Sequence, residues 1–149
     1  MEKEQISFSK YGKNFQEMLA YLILDDRAFS EQIEEVIDVN FFELKYLRVF
    51  AGKIFEYRQK YKSHPTSKIF DSIIRTGLTN ESEIIQEQVR KYFARSIVRS
   101  ITDKGYIKDT ALDFCKKQKL KEAILQSVNL LQSSSYDEIK KVIDSALKL

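Results

Sequence analysis

Scarcity of turn-forming residues is what most constrains this chain: its 149 residues include 4 glycines and 1 proline. A sandwich or barrel of short strands needs such punctuation every ~10 residues. Long helices with short connections are what remain, and the apolar periodicity agrees. In "YGKNFQEMLAYLIL", Phe15, Met18, Leu19, Leu22 and Ile23 recur at helical spacing, with Asn14 as the expected N-cap. "DDRAFSEQIEEVI" sets Phe29, Ile33, Val36 and Ile37 on one face of a second helix that starts near Asp25 or Asp26. After the break at "DVNFF", "ELKYLRVFAGKIFEYRQKY" carries a third helix with Leu47, Phe50, Ile54, Phe55 and Tyr57. That stripe is wide and aromatic, as suits the central helix of a bundle.

The only proline and the only histidine stand together in "YKSHPTSKIF". Pro65 cannot continue a helix and pushes His64 out of the α region, so the third helix ends by about Lys62. Thr66 or Ser67 can cap a fourth helix with the stripe Ile69, Phe70, Ile73 and Ile74. Gly77 is its expected left-handed terminus. His64 has no second histidine, cysteine or acid cluster beside it, so it reads as a loop residue and the stretch as punctuation. "TNESEIIQEQVRKYFARSIVRSI" gives a fifth helix from Thr79 or Asn80, with Ile84, Ile85, Val89, Tyr92, Phe93 and Ile97 along it.

"TDKGY" then interrupts, and a long segment from about Lys108 to Gln132 shows Leu112, Cys115, Leu120, Ile124, Ser127 and Leu131. At 1.5 Å per residue it reaches roughly 37 Å, longer than a small head is wide. "SSSYDEIKKVIDSALKL" restarts the rhythm, with Ser135 and Glu138 as a capping box and Ile139, Val142, Ile143, Ala146 and Leu147 on the buried face. The expected architecture is all-α: a compact helical head of about five to six helices over 1–106, followed by an antiparallel C-terminal helical hairpin over 107–149, in one module. Two narrow stripes bury one side each, and an apolar edge left over wants a second chain. The candidate self-association residues are Leu120, Ile124, Leu131, Ile139, Val142 and Ile143. The chain stops while its last helix is still in phase, as expected of a module trimmed from a longer protein, a free-standing protein being the alternative.

The net charge of +3 carries no argument for nucleic acid, but its distribution is uneven. Acids dominate from Asp25 to Glu43 and bases from Arg90 to Lys121. Arg90, Lys91, Arg95 and Arg99 are the candidate contacts to nucleic acid or an acidic partner, with Tyr92 and Phe93 between them. Those two rings also continue the apolar stripe, and core is the simpler place for them. A single cysteine, Cys115, excludes an internal disulfide. The first residues lack the apolar run of a secretory signal, and no segment approaches the ~20 apolar residues of a membrane span. The expectation is a cytoplasmic protein away from membranes.

Catalytic patterns are missing. Gly12-Lys13 and Gly52-Lys53 do not complete a phosphate-binding loop, since neither is followed by Ser or Thr. No G-x-S-x-G, H-E-x-x-H or C-x-x-C occurs. The adjacent acids Asp25-Asp26 and Glu34-Glu35 point apart on a helix rather than toward one metal ion. No cofactor and no catalytic residue is expected.

Taken in order, several stretches resemble the N-terminal domain of the DnaB-type replicative helicases. "LAYLILDDRAF" resembles the opening helix and turn of that family. "NFFELKYLRVFAGKIFEYRQKYKSHPT" resembles its next block, with Asn40, Phe41, Phe42, Glu43, Val49, Phe50 and Pro65 in matching places. "ALDFCKKQKLKEAILQSVNLL" and "SYDEIKKVIDSALKL" resemble the two arms of its hairpin. Leu44 and Tyr46 stand where bacterial members usually have proline and histidine, and 79–107 is lengthened; both features are closer to the phage-encoded branch. The resemblance implies a non-catalytic collar domain of a hexameric helicase whose RecA-type motor lies outside this chain. Such modules pair through their hairpins, often as a trimer of dimers, and offer a docking surface to primase and sometimes a loader. For a phage protein the location is the host cytoplasm, and DNA contact is weak or indirect. Two alternatives stand beside it. One is the helicase-binding domain of a primase, or a small loader-like adaptor, with a similar head and hairpin. The other is a single-stranded DNA-binding protein using the Arg90–Arg99 cluster.

Overall fold

The computed structural model describes residues 6–132 and 135–149. Among them run α1 (Gly12–Asp25), α2 (Arg27–Glu34), α3 (Lys45–Tyr61), α4 (Ser67–Thr76), α5 (Glu83–Ile97), α6 (Lys104–Gln132) and α7 (Tyr136–Leu147). Short 3-10 turns at Phe8–Tyr11 and Val39–Phe41 complete the order, and the described residues form no strand.

Two groups of rings build the head. Phe8, fully buried, packs edge-on against Phe41 and Phe42 with ring centres 5.8 and 5.3 Å apart, and lies 5.0 Å from Phe114 of α6. Phe50, at the centre of α3, meets Phe70 of α4 at 4.9 Å and Tyr92 of α5 at 4.8 Å, both edge-on. Edge-to-face packing is what the ring quadrupole favours, and each such pair adds ~1 kcal/mol to the burial itself. α1 and α3 pack on each other between these groups through Leu19, Leu22, Ile23, Leu47 and Ile54, all buried. The expected central role of the third helix is what the structure has.

The helix starts follow local chemistry, with some corrections to the sequence reading. Asp26 ends α1 in an extended conformation and caps α2 by accepting from the Phe29 amide at 3.0 Å. Thr66 caps α4 through the Ile69 amide at 3.2 Å, directly after the buried Pro65. Asn14 is not a cap. Burial of Phe8 ties down a 3-10 turn, so α1 already starts at Gly12 and Asn14 lies inside it. Neither Thr79 nor Asn80 caps α5; buried Leu78 draws them into a turn closed by the Glu81 amide on the Leu78 carbonyl (2.9 Å), and Ser82 takes the cap. α2 stops at Glu34, so Val36 and Ile37 follow in a turn, Val36 still buried. "TDKGY" does not fully interrupt: α6 begins at Lys104 and contains Gly105 and Tyr106.

Gly77 is a more instructive correction. Its φ is −96°, so it is not left-handed; the left-handed helix terminus is Lys62 of α3, at φ 54°. Glycine is nevertheless needed at 77. Its amide closes on the Ile73 carbonyl at 2.6 Å, and a β-carbon there would lie 2.6 Å from that same oxygen.

With 29 residues α6 is roughly 43 Å long and belongs to both halves of the molecule. Its first part lends Ile107, Ala111, Phe114 and Cys115 to the head core. The remainder runs beside α7, to which it makes its most extensive contact. Ser135 takes the N-cap position of α7 without the side-chain cap of a capping box. Of the three-serine connector, Ser133 and Ser134 lie outside the described residues.

Candidate interaction surfaces

Ala123 and Ser127 are the α6 residues buried against α7, while Ile139, Val142, Ile143 and Ala146 of α7 are half-buried in return. Of the six self-association candidates, Leu120, Ile139, Val142 and Ile143 are therefore half-covered in this chain's own seam. Ile124 and Leu131 are 49% and 65% exposed. Sequence reasoning missed Val128 and Tyr136, which extend this exposure. It also put Leu147 on the buried face of α7, where the structure leaves it 65% exposed because α7 packs on α6 through the other side of its stripe. Val128 joins Ile124 and Leu131 at helical spacing on α6, and Tyr136 and Leu147 stand on one side of α7, all at least half exposed. One side of the hairpin is a groove lined by polar Lys119, Glu122, Gln126, Lys141 and Ser145 and by apolar Ala123, Val142, Ala146 and Leu149. Helical phase puts Ile124, Val128, Leu131, Tyr136 and Leu147 on the opposite side, an apolar row no single-helix stripe count could reveal.

The basic cluster is dispersed by folding. Tyr92 and Phe93 are core. Arg95 pairs with the buried carboxylate of Glu17 on α1, and Lys91 with Glu87 at 2.9 Å. Arg90 reaches Gln86 at 3.2 Å and the Arg75 carbonyl at 3.4 Å. Arg99 meets the neutral Asn14 at 2.8 Å. Arg90 and Arg99 therefore keep their charge toward solvent, while Arg95 works as a clamp. Beneath it, the Tyr92 hydroxyl donates to the Glu17 carbonyl, and burial pushes that phenol's pKa well up.

A second clamp joins the head to α6. Lys108 binds Asp26, whose carboxyl is held below the usual carboxylate range by that ammonium and then by the Phe29 amide. His64 is more than punctuation. Its Nε2 lies 2.6 Å from the Leu24 carbonyl at the end of α1, and its Nδ1 is 2.9 Å from Nη1 of Arg58. Arginine can only donate, so Nδ1 accepts, Nε2 carries the proton and the ring is neutral. Arg58 also reaches Glu34 at 2.6 Å, so the α3–α4 loop is tied to α1 and α2. Burial, with Arg58 and Arg27 adding to it, pushes the imidazole's pKa down. Nothing in the spacing announced this tie, because its partners lie up to 40 residues away.

Burial pushes the Cys115 thiol up to about 12, which leaves it protonated and inert at neutral pH. No group of three or more His, Cys, Asp or Glu that could hold a metal ion occurs among the described residues. No helix among the described residues is long and apolar enough to cross a membrane. Against known proteins, no family model, curated protein or solved structure matches the chain.

Proposed function

We propose that this chain is a non-catalytic collar domain of a replicative DNA helicase, which self-associates through the apolar side of its hairpin. The single observation that carries the reading is the row Ile124, Val128 and Leu131 on α6, with Tyr136 and Leu147 on α7. A second copy laid face to face on that row forms a four-helix arrangement in which both partners bury the same residues. Such an isologous contact closes on itself as a dimer, which further contacts can build into a trimer of dimers or a hexamer. Primase or a loader then docks on the assembled collar. The resemblance of the ordered sequence blocks supports the helicase context.

The test is absolute mass by light scattering on a size-exclusion column over about a hundredfold concentration range. A dimer or larger multiple is expected, and Val128→Asp combined with Leu131→Asp should give a folded monomer. Both side chains are exposed, so the pair leaves the head intact. A wild-type monomer at every concentration overturns the reading and favours the alternative, in which a primase-type or adaptor module presents the same row to a helicase.

A further inference from the structure

Rings and cations meet a second time on the head, where the turn at Phe8–Tyr11, the start of α1 and the start of α6 come together. Tyr106 is 64% exposed and stands edge-on to Phe15, ring centres 6.5 Å apart. Phe15 stacks against Tyr11 at 4.8 Å, and Tyr11 meets Phe114 at 6.1 Å. The Lys10 ammonium hangs over this group, 5.1 Å from the Tyr11 ring centre and 5.6 Å from that of Phe114. Asn14, beside Phe15, holds Arg99 at the same end of α1, and Lys13 is exposed on the same turn.

The charges around Tyr106 are not symmetrical. Helical phase places Asp109, Asp113 and Lys117 of α6 beside it, and Asp113 is neutralised by Lys117 at 2.9 Å. Lys10 lies over Tyr11 and Phe114, and Lys13 and Arg99 lie at the first turn of α1. Among the described residues none of these three cations is ion-paired with a carboxylate. An exposed aromatic face near cations that no described carboxylate pairs fits a ligand that offers flat rings and regularly spaced anions. We propose that this surface binds single-stranded nucleic acid, one base stacking on Tyr106 and the backbone phosphates running past Lys10, Lys13 and Arg99. The Asp109 edge keeps the backbone on the α1 side. Stacking on a tyrosine face does not distinguish bases, so the contact is insensitive to sequence. The site lies at the head end of α6, about five helical turns from Ile124 on the same face.

Fluorescence anisotropy of a labelled oligothymidylate of about 20 nucleotides, titrated with the whole chain, reads the proposal. With three cations on phosphates the log–log salt slope is about −2, so affinity falls roughly fifteenfold between about 50 and about 200 mM salt. Tyr106→Ala should weaken binding about tenfold and leave the salt slope unchanged. Lys10→Gln with Lys13→Gln should flatten the slope by about 1.4. As a control, Lys53→Gln with Lys60→Gln, beside the separate Tyr57–Tyr61 ring pair, should change the slope and affinity little. Absence of binding at about 50 mM salt, a salt-condition where such contacts are strongest, overturns the proposal. So does a Tyr106→Ala chain, folded by circular dichroism, that binds as tightly as the parent. Competition by a polyglutamate peptide that is indifferent to Tyr106→Ala would assign the cations to an acidic protein partner instead.

Discussion

α1 and α7 are helices of similar length and very different circumstances. Along α1, fourteen residues long, Phe15 to Leu24 is buried almost without interruption, including the polar Gln16 and Glu17. Along the twelve residues of α7 nothing is fully buried. The first is gripped from three sides by α3, α2 and α6, whereas the second packs chiefly on α6. A helix packed on one neighbour keeps only a strip out of water, and at ~25 cal/mol per Å² that strip is a modest anchor. The comparison separates a head that specifies its own structure from a hairpin whose apolar surface is only partly used within the chain. It also shows how the polar residues of α1 survive burial. Glu17 has Arg95, and the Gln16 side chain accepts from the Glu43 amide at 2.8 Å.

Truncation should expose this difference most strongly. Phe50→Ala removes the ring on which α3, α4 and α5 converge, and the head should lose about 3–5 kcal/mol, read by urea unfolding. Leu131→Ala, 65% exposed, should change monomer stability by less than about 0.5 kcal/mol. Comparable losses from both would mean that the hairpin is as tightly built as the head.

Charge pairs sharpen the contrast at a smaller scale. Glu17→Gln discharges the buried partner of Arg95, and because that guanidinium is half exposed the expected loss is about 1–2 kcal/mol. Lys91→Gln breaks a pair exposed at both ends and should be nearly neutral in the same assay. An equal response would make Glu17 a surface residue in energetic terms.

These cases also mark how far the sequence could be read. The all-helical class, the α3–Pro65–α4 break and most buried stripes follow from local spacing, and local spacing is visible in one dimension. Spacing says nothing of Glu17, and His64 read as a loop residue, because what defines them comes from Arg95 on α5 and Leu24 on α1. Ile84 and Ile97 sat on the apolar stripe of α5 yet are exposed, while Val89, Tyr92, Phe93 and Ser96 make its buried face. The hairpin's apolar side was half legible. Ile124 and Leu131 were singled out, while Val128 emerged only once α6 and α7 were set in phase, and Leu147, read as buried, proved exposed.

Acidification should loosen the head and spare the hairpin. His64 is held neutral, so its folded pKa lies below the ordinary value of about 6.5. The unfolded chain then binds more protons, and stability rises with pH in this window. The His64 contribution is full above about pH 6.5 and is lost as the pH falls below it toward the depressed folded value. Asp26 follows the same sign, but only at the lower pH where carboxylates titrate, so the two are separable. Urea midpoints at about pH 7.5 and about pH 5.5 should differ for the parent and converge for His64→Ala, which is less stable at the higher pH. The chain has 1 histidine and the hairpin has none, so its self-association should be flat across that interval. A pH-independent midpoint in the parent would remove His64 as a tie.

The smallest effects compare two glycines within the head. Gly52 lies inside α3 with nothing within 4 Å of where a β-carbon would stand, so its only consequence is the extra freedom it gives the unfolded chain. Gly52→Ala should stabilise by about 0.5–1 kcal/mol. At Gly77 the same substitution sets a β-carbon against the Ile73 carbonyl, a backbone atom that cannot swing aside. Gly77→Ala should therefore destabilise by about 1 kcal/mol or more, although its φ is one that alanine accepts. Opposite signs in one thermal-melt series would establish that Gly77 is there for the closeness of the turn rather than for a left-handed backbone. Two stabilising changes would show that the end of α4 can relax, and the fold would lose one of the few turns its sequence marks with a glycine.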